Sequence, residues 1–292
     1  MAVSSDEVEE SRMTTVVELL EHGKDAAAVA FSAPGRASLT YEELRKHVQN
    51  TVTALNKMGI GRNDPVAVVL PNGPEMASAF VAIAAAATIA PLNPSYKSEE
   101  FEFYLRDLNT QLVVVEAESD TPARVVAKKL RIPIAELQSP PGAVSGIFDL
   151  VGASNGAGPR VGGFATTDDI ALVLHTSGTT SRPKIVPLSH GNVCCSAANV
   201  KNSLGLTPDD RCLNIMPLFH IHGLIGALLS SLEAGASVFC TPGYESASFF
   251  EWMGEALPTW YTAVPTMHQM ILDSAKGETE SISARDLRLI RS

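Results

Sequence analysis

Apolar side chains at Tyr41, Leu44, Val48, Val52, Leu55 and Met58 recur every three or four residues, the spacing of one helix face. Thr40 to Glu43 ahead of them has the form of a capping box, and Gly59 and Gly61 close the pattern. Residues 66–70 form a continuous apolar run of strand length that stops at Pro71. The pattern then predicts a helix over 75–87, a turn at Pro91, Asn93 and Pro94, a helix over 98–108 and a buried strand over 112–115. Between 138 and 163 Gly, Pro, Ser and Ala crowd together and periodicity weakens, which reads as a linker or long surface connection. Beyond it, strands at 170–174, 213–216, 237–240, 260–264 and 287–290 alternate with helices at 189–204, 223–233, 246–256 and 265–274.

Strands that are apolar throughout belong to sheets covered on both faces, and their alternation with helices predicts an α/β fold of mainly parallel sheets. The Gly-rich connection divides the chain into two expected lobes, 1–165 and 166–292.

Composition narrows the class. The chain has 292 residues, 45% of them hydrophobic, and carries a formal charge of −10. It can bury a large core, and its acidity argues against general binding of nucleic acid or of an anionic membrane. The most apolar stretch, 77–92, falls short of the ~20 residues that span a bilayer, so it reads as a buried helix and no membrane span is expected. The acidic N-terminus lacks the apolar segment of a secretory signal. Cys194, Cys195, Cys212 and Cys240 form no C-x-x-C pair and read as buried small hydrophobes in a reducing compartment.

The candidate chemistry sits at residues 172–184, LVLHTSGTTSRPK, where an apolar strand runs into small hydroxyl residues around one glycine, followed by Pro183 and Lys184. Small side chains leave backbone N–H groups uncovered, so such a loop can wrap phosphate oxygens. Lys184 would face the charge that builds on a leaving pyrophosphate. The spacing is not that of a G-x-x-x-x-G-K-[ST] loop, and by composition alone a Ser/Thr-rich surface turn is the plain alternative. No G-x-S-x-G elbow of a serine hydrolase is present.

Thr176 to Lys184 resembles the T-S-G-T-T-G-x-P-K signature of the adenylate-forming superfamily, with Ser181 where the second glycine normally stands. Four other segments resemble that family in order and spacing: residues 39–44, 64–72, 90–94, and the PLFHIHG run at 217–223. The resemblance implies the large N-terminal domain of such an enzyme, in two lobes and incomplete, without its C-terminal lid domain. It implies ATP, Mg²⁺ and CoA as ligands, with Thr176, Ser177, Gly178, Thr179, Thr180 and Lys184 on the phosphates and Thr179 helping to place the metal. The family's adenine, ribose and lid residues would lie beyond Ser292, so the chain is expected to be a truncated product with little ligase activity alone.

Ser181-Arg182, residues 259–268 and the closing 287–292 together resemble the oxalate–CoA ligases of plants and fungi. Oxalate is a small dianion; one carboxylate must attack the α-phosphorus while the other is held. His220, Arg291 and Ser292 are the residues expected to hold it, with Lys184 and His220 as the catalytic candidates. Structural readings stand beside these. Arg291 can cap the last strand or pair with an acid, and His220 with His222 can be a metal pair lacking a third ligand. His222, His175 and His268 read as core or structural residues, and Trp260 and Tyr261 as packing. The alternatives for function are a ligase for a medium-chain or coumarate-type acid, and a nucleotide-binding fragment without catalysis. The expected compartment is the cytoplasm, with the peroxisome as the alternative, whose address would sit at a C-terminus beyond Ser292.

Overall fold

The computed structural model describes residues 14–23, 25–153, 157–176, 183–275 and 287–292. In chain order the strands are β1 (Val29–Ser32), β2 (Leu39–Thr40), β3 (Pro65–Val69), β4 (Thr88–Pro91), β5 (Leu112–Glu116), β6 (Ile134–Gln138), β7 (Asp149–Gly152), β8 (Ile170–Thr176), β9 (Lys184–Ser189), β10 (Arg211–Asn214), β11 (Ser237–Cys240), β12 (Trp260–Thr262) and β13 (Leu289–Arg291). The α-helices are α1 (Tyr41–Lys57), α2 (Pro74–Ala84), α3 (Ser98–Asp107), α4 (Pro122–Leu130), α5 (His190–Leu204), α6 (Ser230–Glu233), α7 (Phe249–Ala256) and α8 (Pro265–Ser274). A π-helical segment, His222–Leu229, runs directly into α6.

The strands form two sheets, ordered β7-β6-β5-β3-β4-β8-β9 and β13-β12-β10-β11-β1-β2. Pairing is parallel except for β1 with β2, β6 with β7 and β8 with β9. Sheet membership crosses the boundary drawn at 165/166: β8 and β9 complete the first sheet, while β1 and β2 join the second.

Side-chain alternation explains the layers. Val66, Val68, Leu112 and Val114 turn inward with α1 and α2, whereas Ala67, Val69, Val113 and Val115 pack under α3 and α4. In the second sheet Phe31, Cys212, Val238 and Trp260 share the inner core, and Leu213, Phe239 and Tyr261 pack against α7 and α8. The main core therefore lies between the sheets. That position explains why α2, wedged there, is apolar nearly all round.

The capping box at Thr40 forms as expected, with Glu43 reaching back to the Thr40 backbone at 2.9 Å. Other expectations are corrected. The apolar run 77–92 is buried but is not one helix: α2 ends at Ala84 and β4 begins at Thr88, because an apolar run without period does not distinguish helix from strand. The 138–163 stretch includes β7 and the buried residues Ser145 and Phe148. Cys194, Cys212 and Cys240 are buried, but Cys195, on the outer side of α5, is exposed; all four are free thiols. Among the described residues no helix is long and apolar enough to cross a membrane.

Candidate functional site

The C-terminal ends of the parallel strands in both sheets approach one another, the usual place for ligands of open α/β sheets. Asn72, just after β3, joins them. Its Nδ2 donates to the Met216 carbonyl at 3.1 Å, and its Oδ1 accepts from the Leu218 amide at 2.7 Å. This clamp lays the 217–222 segment over a cleft of about 580 Å³. Its walls come from the end of β4 (Pro91 to Asn93), α3 (Tyr104), the β8–β9 hairpin and Phe219 to His222.

β8 and β9 carry the candidate phosphate loop as the tip of a hairpin. Thr176 pairs in register with Lys184, Leu174 with Val186 and Leu172 with Leu188. Residues directly opposite on antiparallel strands share a face, so Thr176, Lys184, Val186 and Leu188 lie on one side. Thr176, Val186 and Leu188 of that set line the cleft, and Thr176 and Lys184 are both exposed. The hairpin root thus carries a hydroxyl that lines the cleft and, in register across the ladder, an exposed lysine. Ser177, Gly178, Thr179 and Thr180, and with them Ser181 and Arg182, lie outside the described residues.

The root is held from below. Asp169 accepts from Arg62 Nε at 2.6 Å, Asn63 Nδ2 at 2.6 Å and the Thr166 amide at 2.7 Å, while Asn63 Oδ1 accepts from the Ile170 amide. Burial opposes ionisation of Asp169, but these donors outweigh it and hold the carboxyl well below the usual range. Higher up, His175 Nε2 meets Asp107 Oδ2 at 3.1 Å and its ring stands edge-on to Tyr104 at 4.6 Å. Burial lowers the His175 pKa against the pull of Asp107. These contacts tie the end of β8 to α3, in keeping with the structural reading of that histidine.

His220 and Arg291 are placed differently from one another. His220 sits on the cleft rim, its ring 4.5 Å from that of Phe219. Arg291, in β13, belongs to a separate polar group that includes His222 and Thr262. His222 Nε2 meets Thr262 Oγ1 at 2.5 Å, and Thr262 is the parallel partner of Arg291. Arg291 Nη1 donates to the Gly226 carbonyl at 3.3 Å, and its own carbonyl contacts His268 Nε2 at 3.1 Å. Burial lowers the His222 pKa, and its neighbours Arg291 and His268 lower it further. His222 lines the cleft as well, so it links the two groups. Ser292 follows Arg291 as an exposed residue.

Reasoning from sequence read His222 as a core or structural residue and did not single out Thr262 or Gly226. The H-x-H-G spacing was visible, but the π-helical turn that swings His222 toward β12 was not. Trp260 and Tyr261 are buried in opposite faces of the second sheet, as packing residues should be. Among the described residues no three His, Cys, Asp or Glu side chains gather as metal ligands. A phosphate-bound Mg²⁺ commonly needs few protein ligands, so the donor set is compatible with a metal carried on ATP.

An open, doubly covered α/β pair with a hydroxyl-and-lysine hairpin at its strand ends is the frame of a nucleotide-handling enzyme. Residues 18–292 match the sequence profile described as AMP-binding enzyme, and the chain belongs to that family. It is 40% identical over 270 residues to an oxalate–CoA ligase of Arabidopsis thaliana, covering 90% of this chain and 52% of that protein. It is 35% identical over 267 residues to an oxalate–CoA ligase of Saccharomyces cerevisiae, covering 82% and 49%. The chain spans about half the length of these curated relatives. The crystal structure of ATP-bound MatB from Rhodopseudomonas palustris superimposes with a TM-score of 0.77 over 96% of this chain and 54% of that one, at 24% identity, and so shares the fold.

Proposed function

We propose that this chain forms the acid pocket and phosphate loop of an ATP-dependent acid–CoA ligase whose acid is oxalate. The observation that carries the reading is the hairpin root, where exposed Thr176 and Lys184 pair in register and Thr176 lines the cleft. Backbone amides at the hairpin tip, with the hydroxyls of Thr176, Ser177, Thr179 and Thr180, cradle the phosphates of ATP. A carboxylate oxygen attacks the α-phosphorus, and the bond to the bridging oxygen breaks with its electron pair leaving on pyrophosphate. Lys184 stabilises that charge. In the second half-reaction the CoA thiol adds to the acyl carbonyl, loses its proton and expels AMP. Thr179 is the residue that would help to hold Mg²⁺, which when bound with ATP would supply charge neutralisation on the triphosphate. The protein's contribution is mainly positioning.

The acid lies between the His220 rim and the group that contains His222 and Arg291, with Ser292 next in the chain as a further donor. The Arg291 guanidinium donates to the Gly226 carbonyl, and among the described residues no carboxylate pairs with it. A dianion supplies the missing countercharge, whereas a fatty acyl chain does not. The identity to two oxalate–CoA ligases supports the same substrate.

ATP–pyrophosphate exchange by a full-length protein carrying this chain, with oxalate, octanoate and coumarate in turn, tests the reading. Exchange should depend on oxalate. Exchange with octanoate or coumarate alone overturns the choice of acid; ATP retained tightly with no exchange for any acid favours the non-catalytic alternative. Residues 1–292 alone should show little exchange.

A further inference from the structure

Gly226 lies in the π-helical segment and its backbone is not in the left-handed region, so conformation does not call for glycine there. Glycine in a helix interior costs stability relative to alanine. Space accounts for it. A Cβ on Gly226 would come to 2.5 Å from Arg291 Nη1, 3.5 Å from Arg291 Cζ and 3.4 Å from His222 Cδ2. The guanidinium therefore occupies the volume that any other residue would fill, and it is held there by the carbonyl of the same glycine at 3.3 Å. Gly223, one turn earlier, has a different reason: its Cβ would meet the Pro217 backbone.

We propose that Gly226 is a specificity-determining residue, which by lacking a side chain seats the Arg291 guanidinium beside His222 of the cleft wall and so selects short dicarboxylates over monocarboxylates. This rests on the acid-activating function proposed above. With a methyl group at 226 the guanidinium has to swing away from His222. The second carboxylate of oxalate then loses its cation, while a monocarboxylate of similar size, such as acetate, loses nothing. The phosphate loop, on the other sheet, is untouched.

The test is a double-mutant cycle of Gly226→Ala and Arg291→Ala in a full-length protein carrying this chain, read by KM for oxalate, acetate and ATP and by thermal melting. Loss of a charge-assisted contact should raise the oxalate KM roughly tenfold to a hundredfold in either single variant. The ATP KM should stay within about twofold, because the nucleotide makes no contact with either residue on this reading. The double variant should be no worse than Arg291→Ala. Melting gives a second readout that survives poor activity: Gly226→Ala should lower Tm in the native background and raise it in the Arg291→Ala background, where space is free and alanine is the better helix former. An unchanged oxalate KM in Gly226→Ala, or additive effects in the double variant, would overturn the inference. If the unsubstituted protein activates acetate or longer acids but not oxalate, the choice of substrate fails instead, independently of how the Gly226 variants melt.

Discussion

Burial holds His47 and His190 neutral, each with its pKa pushed down from 6.5 to about 4. His47 is packed edge-on against Phe148 at 4.3 Å, with Asp149 only partly offsetting the desolvation. His190, fully buried, uses Nδ1 to accept from the Val16 amide at 3.1 Å, a bond that a protonated ring loses. Between pH 6.5 and 4 the unfolded chain binds protons at these sites and the folded chain does not. Their contribution is therefore fully present above pH 6.5 and lost as pH falls toward 4, at most about 3 kcal/mol for each ring. Urea midpoints at pH 7.5 and 4.5 check this: His47→Leu should lose less stability over that interval than the native chain, and an equal loss would remove His47 as a cause. Neither ring was marked in the sequence, because a histidine's burial depends on which elements close over it. The Thr40 capping box was legible for the opposite reason, since both of its partners lie within four residues.

Element by element, local periodicity was readable for most helices and tertiary pairing was not; α4 and β6 were not anticipated from the sequence. The bounds of β11 and α8 agree with the pattern, and α1 differs only at its end. The short strands β1, β2, β7 and β9 escaped because they are strands by virtue of their neighbours: β9 includes Pro187 and exposed positions, and only its ladder with β8 defines it. The helix expected over 223–233 became a π-helical turn followed by one turn of α-helix, an irregularity of the kind found at functional sites. Two links position the site. Arg288 donates to both carboxylate oxygens of buried Asp210, from Nε at 3.1 Å and Nη2 at 2.9 Å, and so fixes β13 beside β12. Arg288→Gln should cost about 1–2 kcal/mol, discounted for the partial exposure of the arginine, and should speed hydrogen exchange across β13 more than in β11. Asn72→Ala removes both bonds to the 216–218 segment and should cost about 2 kcal/mol, with a rise in the acid KM exceeding that for ATP. Equal changes in both constants would place the role of Asn72 in general stability.

At the scale of the molecule, two covered sheets bring their strand ends together, with the β8–β9 hairpin on one sheet and Arg291 on the other, and His222 lines the cleft between them. The alternation of apolar strands and helices made that class readable, but not the exchange of strands between lobes, since β1 and β2 travel furthest along the chain to find their sheet. Likewise His220 and Arg291 were readable as polar residues near strand ends, whereas the proximity of Arg291 to His222 needed the relative placement of β12, β13 and the π-helical turn. Lys184 should matter for the nucleotide and not for folding: Lys184→Met, at an exposed position, should leave Tm nearly unchanged while weakening ATP binding roughly tenfold.

The central claim is that the backbone between Thr176 and Lys184 curls around phosphate oxygens at the end of β8. Backbone amide NMR shifts of the isotopically labelled chain, followed as ATP is added, test it most directly. The largest shifts should fall on the amides from Thr176 to Lys184, and tripolyphosphate should reproduce them while adenosine does not. Shifts confined to residues away from the hairpin, or equal responses to adenosine and to ATP, would contradict the account.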